Sequence, residues 1–341
     1  MRIGMLSKFP SEQDGIAIYT ESLCMHLELQ GVEVVRIGLN TQYPIKFSSL
    51  FIKEALNKII EKERLDLLHI QYIAPYYGKK TLNLGLIRAL KLKIPVVVTL
   101  HEVQQDTKRG LKDRILKRIE HAVIKRASRV IVHTKSQASF IKSAYGKHAQ
   151  CIYMGVEVKR NARKSRNLLF FGLISPGKGV DLLLETMRLL PEFNLTVAGR
   201  LGDGVPQEYL EKIKRLADLG NVTTEFEWIS DIKKDELFKN NAILVLPYRW
   251  APYQSAVLHD GVSYGLPIVA TRVGGIWEVV HDFGMGVVVD PDDAKQLAKG
   301  IKTTFLKYET YRRGIEEYRR AANWEAMAKN TIAVYQQVIP S

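Results

Sequence analysis

The run Phe170-Phe171-Gly172-Leu173-Ile174-Ser175-Pro176-Gly177-Lys178-Gly179 follows a strand-like stretch and precedes a helix-like one. Glycines there let backbone approach a phosphate, the helix start favours negative charge, and Lys178 supplies a point cation. The same letters also describe a plain strand-to-helix turn with a solvated lysine. A Walker loop is excluded, because its spacing and the Ser or Thr after Lys are missing. A second run, Gln254-Ser255-Ala256-Val257-Leu258-His259-Asp260, continues through Gly265-Leu266-Pro267 to Thr271. Ser255 stands where a helix can begin, so the following amides could face a diphosphate. Asp260 lies about a turn and a half inside, where a carboxylate could accept from ribose hydroxyls. A solvated helix residue ahead of a turn is the plainer alternative. Two histidines, His69 and His101, lie in or after strand-like runs. The carboxyl end of a parallel strand is where chemistry tends to sit, which favours His101. His69 lies inside its strand and reads as a packed neighbour.

The elements that must carry these residues come in two similar series. Arg2 to Ser7, Val32 to Ile37, Leu65 to Ile70 and Val96 to Leu100 read as strands, with an amphipathic helix over Ile52 to Glu63. After Arg166 the pattern restarts: strands at Leu168 to Phe171, Leu195 to Ala198, Ile243 to Leu246 and Ile268 to Ala270, and a helix over Val180 to Leu190. Short apolar strands alternating with helices predict parallel sheets covered on both faces. The basic, aperiodic run Lys159 to Arg166 is the linker candidate. The expected architecture is α/β: two doubly wound, Rossmann-like domains with an inter-domain cleft at the carboxyl ends of the sheets. The tail from Tyr308 to Val338 reads as helical and holds Trp324.

With 341 residues, 46% hydrophobic and 25% charged, the chain is long enough for two cores and too ordinary in composition for disorder. The net charge of +14 is uneven: residues 1 to 166 hold 30 Lys and Arg against 14 Asp and Glu. That half, at +16, is expected to face something anionic. Residues 111 to 126 place Leu111, Ile115, Ile119, Ala122 and Val123 on one stripe, with Lys112, Arg114, Lys117, Arg118, Lys125 and Arg126 around it. Such a helix either lies on anionic lipid or packs on a core with a solvated outer face. No apolar run approaches the ~18 residues needed to cross a bilayer, and the opening lacks the pattern of a signal peptide. Cys24 and Cys151 read as buried thiols of a reducing compartment. No zinc spacing, Gly-x-Ser-x-Gly or nucleic-acid module occurs.

Taken together these residues resemble glycosyltransferase family 4, retaining enzymes of the GT-B fold. The resemblance runs from residue 2 to about 335. It rests on Pro10 to Tyr19, Thr99-Leu100-His101-Glu102, Arg126 to Ile131, Met154-Gly155-Val156, the Gly172 to Gly179 loop, Gly265 to Thr271 with Val273-Gly274-Gly275, and Trp324-Glu325. It implies an acceptor-side domain over 1–160, a nucleotide-sugar-binding domain over 161–307, and a helical segment over 308–341 that crosses back to the first domain. It further implies Gly15 and Ile16 near the donor phosphates, His101 beside the donor sugar, and Lys178 on the diphosphate leaving group. Ser255, Ala256 and Val257, with Gln254 before them, match the amides that hold the diphosphate. Trp228 and Ile229 match the grip on the base, and Asp260 the ribose acid.

The sequence departs from the family at two places. Of the family's paired glutamates, one falls on Pro252 and the other becomes Asp260; the arginine usual after the loop's first glycine is Leu173. Arg249 or Arg200 is the candidate replacement cation. The reading is a transferase moving a hexose from a UDP- or GDP-sugar to a hydroxyl acceptor, lipid-linked or anionic. It requires no cofactor and no obligatory metal. The protein would be cytoplasmic, peripheral at the inner face of an anionic membrane, with nucleic acid not expected as a partner. The alternative is a noncatalytic nucleotide-sugar or polyanion binder with the same fold, which the lost glutamate and arginine favour and His101, Lys178 and Asp260 oppose. A dinucleotide oxidoreductase is a third reading, and the lack of Gly-x-Gly-x-x-Gly in Phe9 to Ala17 counts against it.

Overall fold

The structure is a computed structural model and describes residues 1–10, 15–77, 84–103, 111–159, 162–251 and 255–339, with the side chains at 75, 111–113, 115 and 116 excepted. The chain divides into two compact units, Met1–Gly155 with Ala322–Ser341, and Val156–Ala321.

In the first unit six strands, β1 (Arg2–Leu6), β2 (Glu33–Ile37), β3 (Leu67–Tyr72), β4 (Val96–Leu100), β5 (Arg129–Val132) and β6 (Ala149–Cys151), form one parallel sheet in the order β2-β1-β3-β4-β5-β6. The helices are α1 (Gly15–Leu29), α2 (Ile52–Glu63), α3 (Leu84–Ala89), α4 (Leu111–Arg126) and α5 (Lys135–Tyr145). β3 and β4 are buried at every position, which is why they read as nearly unbroken apolar runs. Their register sets Gln71 beside Thr99 and Tyr72 beside Leu100. His101 therefore emerges next to the end of β3, and its amide donates to the Tyr72 carbonyl at 3.2 Å.

The second unit repeats the plan with β7 (Asn167–Phe171), β8 (Asn194–Ala198), β9 (Val222–Glu225), β10 (Ile243–Leu246), β11 (Ile268–Thr271) and β12 (Gly286–Val289), in the order β12-β11-β10-β7-β8-β9. Its helices are α6 (Val180–Met187), α7 (Gln207–Leu216), α8 (Asp231–Asn240), α9 (Ala256–Ser263), α10 (Ile276–Asp282), α11 (Ala294–Leu306) and α12 (Tyr308–Ala321). Strand order reverses between β1 and β3 in one sheet and between β7 and β10 in the other. Such switch points open a crevice at the carboxyl ends of the strands.

The tail holds two helices. Arg319 of α12 donates to the carbonyls of Val262 and Ser263 at 2.8 Å each, so α12 belongs to the second unit. Asn323 then caps α13 (Trp324–Gln336), accepting from the Ala326 amide at 2.7 Å. α13 returns to the first unit, where Met327, Ala328, Val334 and Tyr335 complete the core on the α1 face of the sheet. The units thus divide at Gly155 and Ala321, whereas the sequence suggested 160 and 307. Lys159 and Ala162 of the basic run pair with the carbonyls of Ser263 and Tyr264, which attaches that run to the second unit. Cys24 is buried and Cys151 half-buried, and both are free thiols. Among the described residues no helix is long and apolar enough to cross a membrane.

Candidate functional site

In the second unit the loop after β7 is fixed by its neighbours before it meets any ligand. Gly179 has φ +68°, and a Cβ there would collide with the Pro247 carbonyl oxygen. The Arg249 amide donates to the Gly177 carbonyl at 2.9 Å and its guanidinium to the Pro176 carbonyl at 3.0 Å. Lys178 then lays its ammonium over the Tyr248 ring, 3.8 Å from the centroid. Burial pulls the Lys178 ammonium down to about 8. A lysine so placed gains most from an anion that replaces the water it has lost.

Arg249 was one of the two candidates for a replacement cation, and its guanidinium is already committed. It meets the Asp181 carboxylate at 2.6 and 3.2 Å and also pairs with Asp292. Lys212 adds a bond to Asp181 at 2.8 Å. Burial alone would raise the Asp181 carboxyl, but Arg249 and Lys212 outweigh it and hold it at about 2. Arg249 thus clamps the Lys178 loop. Arg200 is half exposed and, among the described residues, bonds the Leu201 carbonyl and Asp203, both at 3.2 Å.

Ser255 caps α9, its hydroxyl accepting from the Leu258 amide at 3.4 Å. The amides of Ala256 and Val257, in the first turn, have no intrahelical acceptor to meet. A Cβ on Gly172 would lie 3.3 Å from the Val257 side chain, so the Gly172 loop and the start of α9 are neighbours. Asp260 lies deeper in α9 and pairs with Lys234 of α8 at 2.8 Å. Burial pushes its carboxyl up against the opposing pull of Lys234. Trp228, 57% exposed, and the half-buried Ile229 follow β9, two strands from β7. Gln254 and Pro252 lie outside the described residues.

In the first unit Gly15 opens α1 and is exposed, with Ile16 following; the Ile16 carbonyl accepts from Thr20 at 2.7 Å. His101 is buried at the end of β4, and its Nε2 lies 2.8 Å from the Gln71 side-chain oxygen. The Gln71 amide nitrogen faces the Met5 thioether at 3.2 Å, and a thioether can only accept, so the amide oxygen points to His101. His101 therefore carries its proton on Nε2 and presents Nδ1 as an acceptor. Burial, with His133 and His69 nearby, holds His101 neutral, far below the usual imidazole range. His69 is wholly buried and bonds Tyr335 at 2.6 Å and Thr99 at 2.7 Å, the packed role its strand position implied.

The reading from sequence missed Gln71, Tyr19, His133, Tyr248 and the Asp181–Arg249 pair. His133 had a signal: it follows β5 as His101 follows β4, but the strand before it went unread.

A profile described as "Glycosyltransferase Family 4" matches residues 13–160, and one described as "Glycosyl transferases group 1" matches 157–321. The chain is a family 4-like glycosyltransferase of the GT-B fold. An uncharacterized glycosyltransferase of Methanocaldococcus jannaschii is 27% identical over 293 residues, 82% of this chain and 78% of its own. A D-inositol 3-phosphate glycosyltransferase of Catenulispora acidiphila is 26% identical over 64% of this chain and 58% of its own. Among solved structures, sucrose-phosphate synthase from Thermosynechococcus elongatus superposes with a TM-score of 0.76 at 20% identity, covering 98% of each chain. The Anabaena protein HepE in complex with UDP gives 0.71 at 17% identity, covering 99% of this chain and 100% of its own. Within the second unit the Gly172 loop, which carries the Lys178 cation, adjoins the capped start of α9; within the first unit His101 is a neutral histidine.

Proposed function

We propose that the enzyme transfers a hexose, with retention of anomeric configuration, from a nucleoside-diphosphate sugar to a hydroxyl acceptor. The observation that carries this reading is the seat of Lys178: a half-desolvated ammonium on a clamped loop, beside a helix start whose first amides have no intrahelical acceptor. Charge develops on the departing diphosphate in the transition state, and fixed donors there lower the barrier without reorganising. Lys178 supplies the charge, Ala256 and Val257 the amides, and Asp260 a ribose contact. His101 orients the transferred sugar as a hydrogen-bond acceptor. Being neutral, it contributes geometry to the reaction and no positive charge.

HepE has been solved with UDP and with UDP-glucose, which makes a UDP-sugar the first donor to try. The acceptor is a carbohydrate or lipid-linked hydroxyl, and the basic half supports an anionic surface for it. α4 carries that charge outward: Ile119 and Val123 are buried, while Arg118, Lys125 and Arg126 are exposed and line, with His121 and Ala122, a groove of about 450 Å³. On this reading the protein works at the inner face of a membrane.

The test is incubation with UDP- and GDP-sugars, with mass spectrometry following diphosphate release and product. Turnover is expected to survive EDTA, since the proposed charge stabilisation comes from side chains and amides. Binding of the sugar nucleotide without any release or transfer would favour the noncatalytic binder.

A further inference from the structure

Besides Arg2 Nε, two buried polar atoms of the first unit have no hydrogen-bond partner among the described residues: the Tyr19 hydroxyl and His133 Nε2. They belong to one cluster. Tyr19 and His133 have ring centroids 5.5 Å apart, and each also packs against His101, at 4.8 and 5.3 Å. Tyr19 is 4% exposed and His133 2%, so bulk water satisfies neither. Leaving such groups unpaired is costly, so each calls for a partner such as a water, an ion or a ligand.

The protonation states follow from the partners. His133 Nδ1 lies 2.9 Å from the Ile152 carbonyl, which can only accept, so Nδ1 carries the proton and Nε2 is a bare acceptor. Burial holds His133 at about 4, so it stays neutral. Burial also pushes the Tyr19 hydroxyl up, which keeps it a donor. His101 Nδ1, fixed as an acceptor by the Gln71 bond, completes a set of one donor and two acceptors. α1 follows β1, His101 follows β4 and His133 follows β5, so all three come from the carboxyl side of one sheet. A cation does not suit the set: among the described residues no group of three His, Cys, Asp or Glu could hold a metal ion. A sugar hydroxyl, which donates and accepts at once, suits it well.

We infer that Tyr19 Oη and His133 Nε2, beside His101, form a seat for a carbohydrate hydroxyl. The inference rests on the glycosyltransfer reading and adds two residues that contact the sugar.

The test reads His133 directly. Wild-type enzyme with isotope-labelled histidine is titrated with UDP, UDP-glucose, and, in the presence of UDP, glucose or myo-inositol, while calorimetry follows UDP binding. The His133 Nε2 resonance, assigned by its loss in His133→Asn, moves toward that of a hydrogen-bonded acceptor. Movement with UDP-glucose but not UDP identifies the donor sugar as the source; movement with glucose or myo-inositol identifies the acceptor. Tyr19→Phe is expected to weaken the responding probe by about threefold to tenfold, the reach of one neutral hydrogen bond. Silence to all four probes with UDP binding intact overturns the seat and leaves a trapped water as the partner of both atoms. Absence of UDP and UDP-glucose binding would instead count against the donor reading, and a His133 response to a free polyol would still support the seat.

Discussion

The Arg249 guanidinium holds the Asp181 carboxylate at 2.6 Å and, with the same nitrogen, the Pro176 carbonyl at 3.0 Å. One side chain thus ties a helix-borne acid to the loop that aims Lys178. Arg249→Leu is expected to destabilise the second unit by about 2 kcal/mol, below the 3–5 for a fully buried pair because Arg249 is 29% exposed. Urea unfolding measures this, and UDP affinity should fall with it although Lys178 remains. Unchanged UDP binding in a folded Arg249→Leu protein would show that the clamp does not aim the lysine.

Lys178→Ala should cost about 2 to 4 kcal/mol of barrier, the range for one electrostatic stabiliser. Burial pulls Lys178 down to about 8, and on the proposed reading the diphosphate binds its charged form. UDP affinity is therefore expected to be flat below pH 8 and to drop above it. Lys178→Arg should abolish that drop, because a guanidinium stays charged. Calorimetry at pH 7 and 9 separates the two proteins.

The proposed reading gives Asp260 a ribose contact, and the structure pairs it with Lys234. Asp260→Ala should weaken free UDP by about 1.5 to 3 kcal/mol, the span for a hydrogen bond to a charged group. Equal affinity by calorimetry would remove it from the site.

The buried histidines make the first unit acid-sensitive. Their folded values lie below the unfolded 6.5: His69 at about 3, His133 at about 4, and His101 lower than usual as well. The unfolded chain therefore takes up protons first as pH falls. Stability is complete above about 6.5 and declines below it, by about 2 kcal/mol per histidine between pH 7 and 5. Urea midpoints should fall steeply over that window, and less steeply in His133→Asn.

If the basic half docks on lipid, acidic liposomes should retain the enzyme at low salt and release it near 1 M, where the Debye length is roughly 3 Å. Replacing Arg118, Lys125 and Arg126 with Ser should weaken retention by about 1 kcal/mol per charge. Equal recovery on neutral and acidic liposomes would rule out this mode of docking.

Most of the fold was legible because apolar β-branched runs and helix periods say where strands and helices lie. Val96–Leu100 and Ile243–Leu246 match the reading residue for residue. The strands that went unread were short: Arg129–Val132 has four residues and Ala149–Cys151 three, the latter with none buried. Tyr308 to Val338 keeps a helical period across a break that Asn323, the cap of α13, marks. Lys178 and Ser255 could be found from local spacing. Tyr19 and Gln71 could not, since only the parallel sheet brings residues from separate strands to one cluster, whereas His133 is marked by its place directly after the short strand Arg129–Val132. Arg249 looked like a spare cation because nothing local reveals that Asp181, 68 residues earlier, claims it.

The return of α13 has a consequence for biosynthesis. The core over α1 lacks Met327, Val334 and Tyr335 until α13 has left the ribosome. The second unit, whose residues end at Ala321, is complete before then. Domains usually fold in the order they are made. Here the first unit must wait for α13, holding its half-finished core open while the second unit closes first. A stalled or truncated chain would thus carry a folded second unit behind a first unit with an exposed apolar face, a form for chaperones and proteases to recognise.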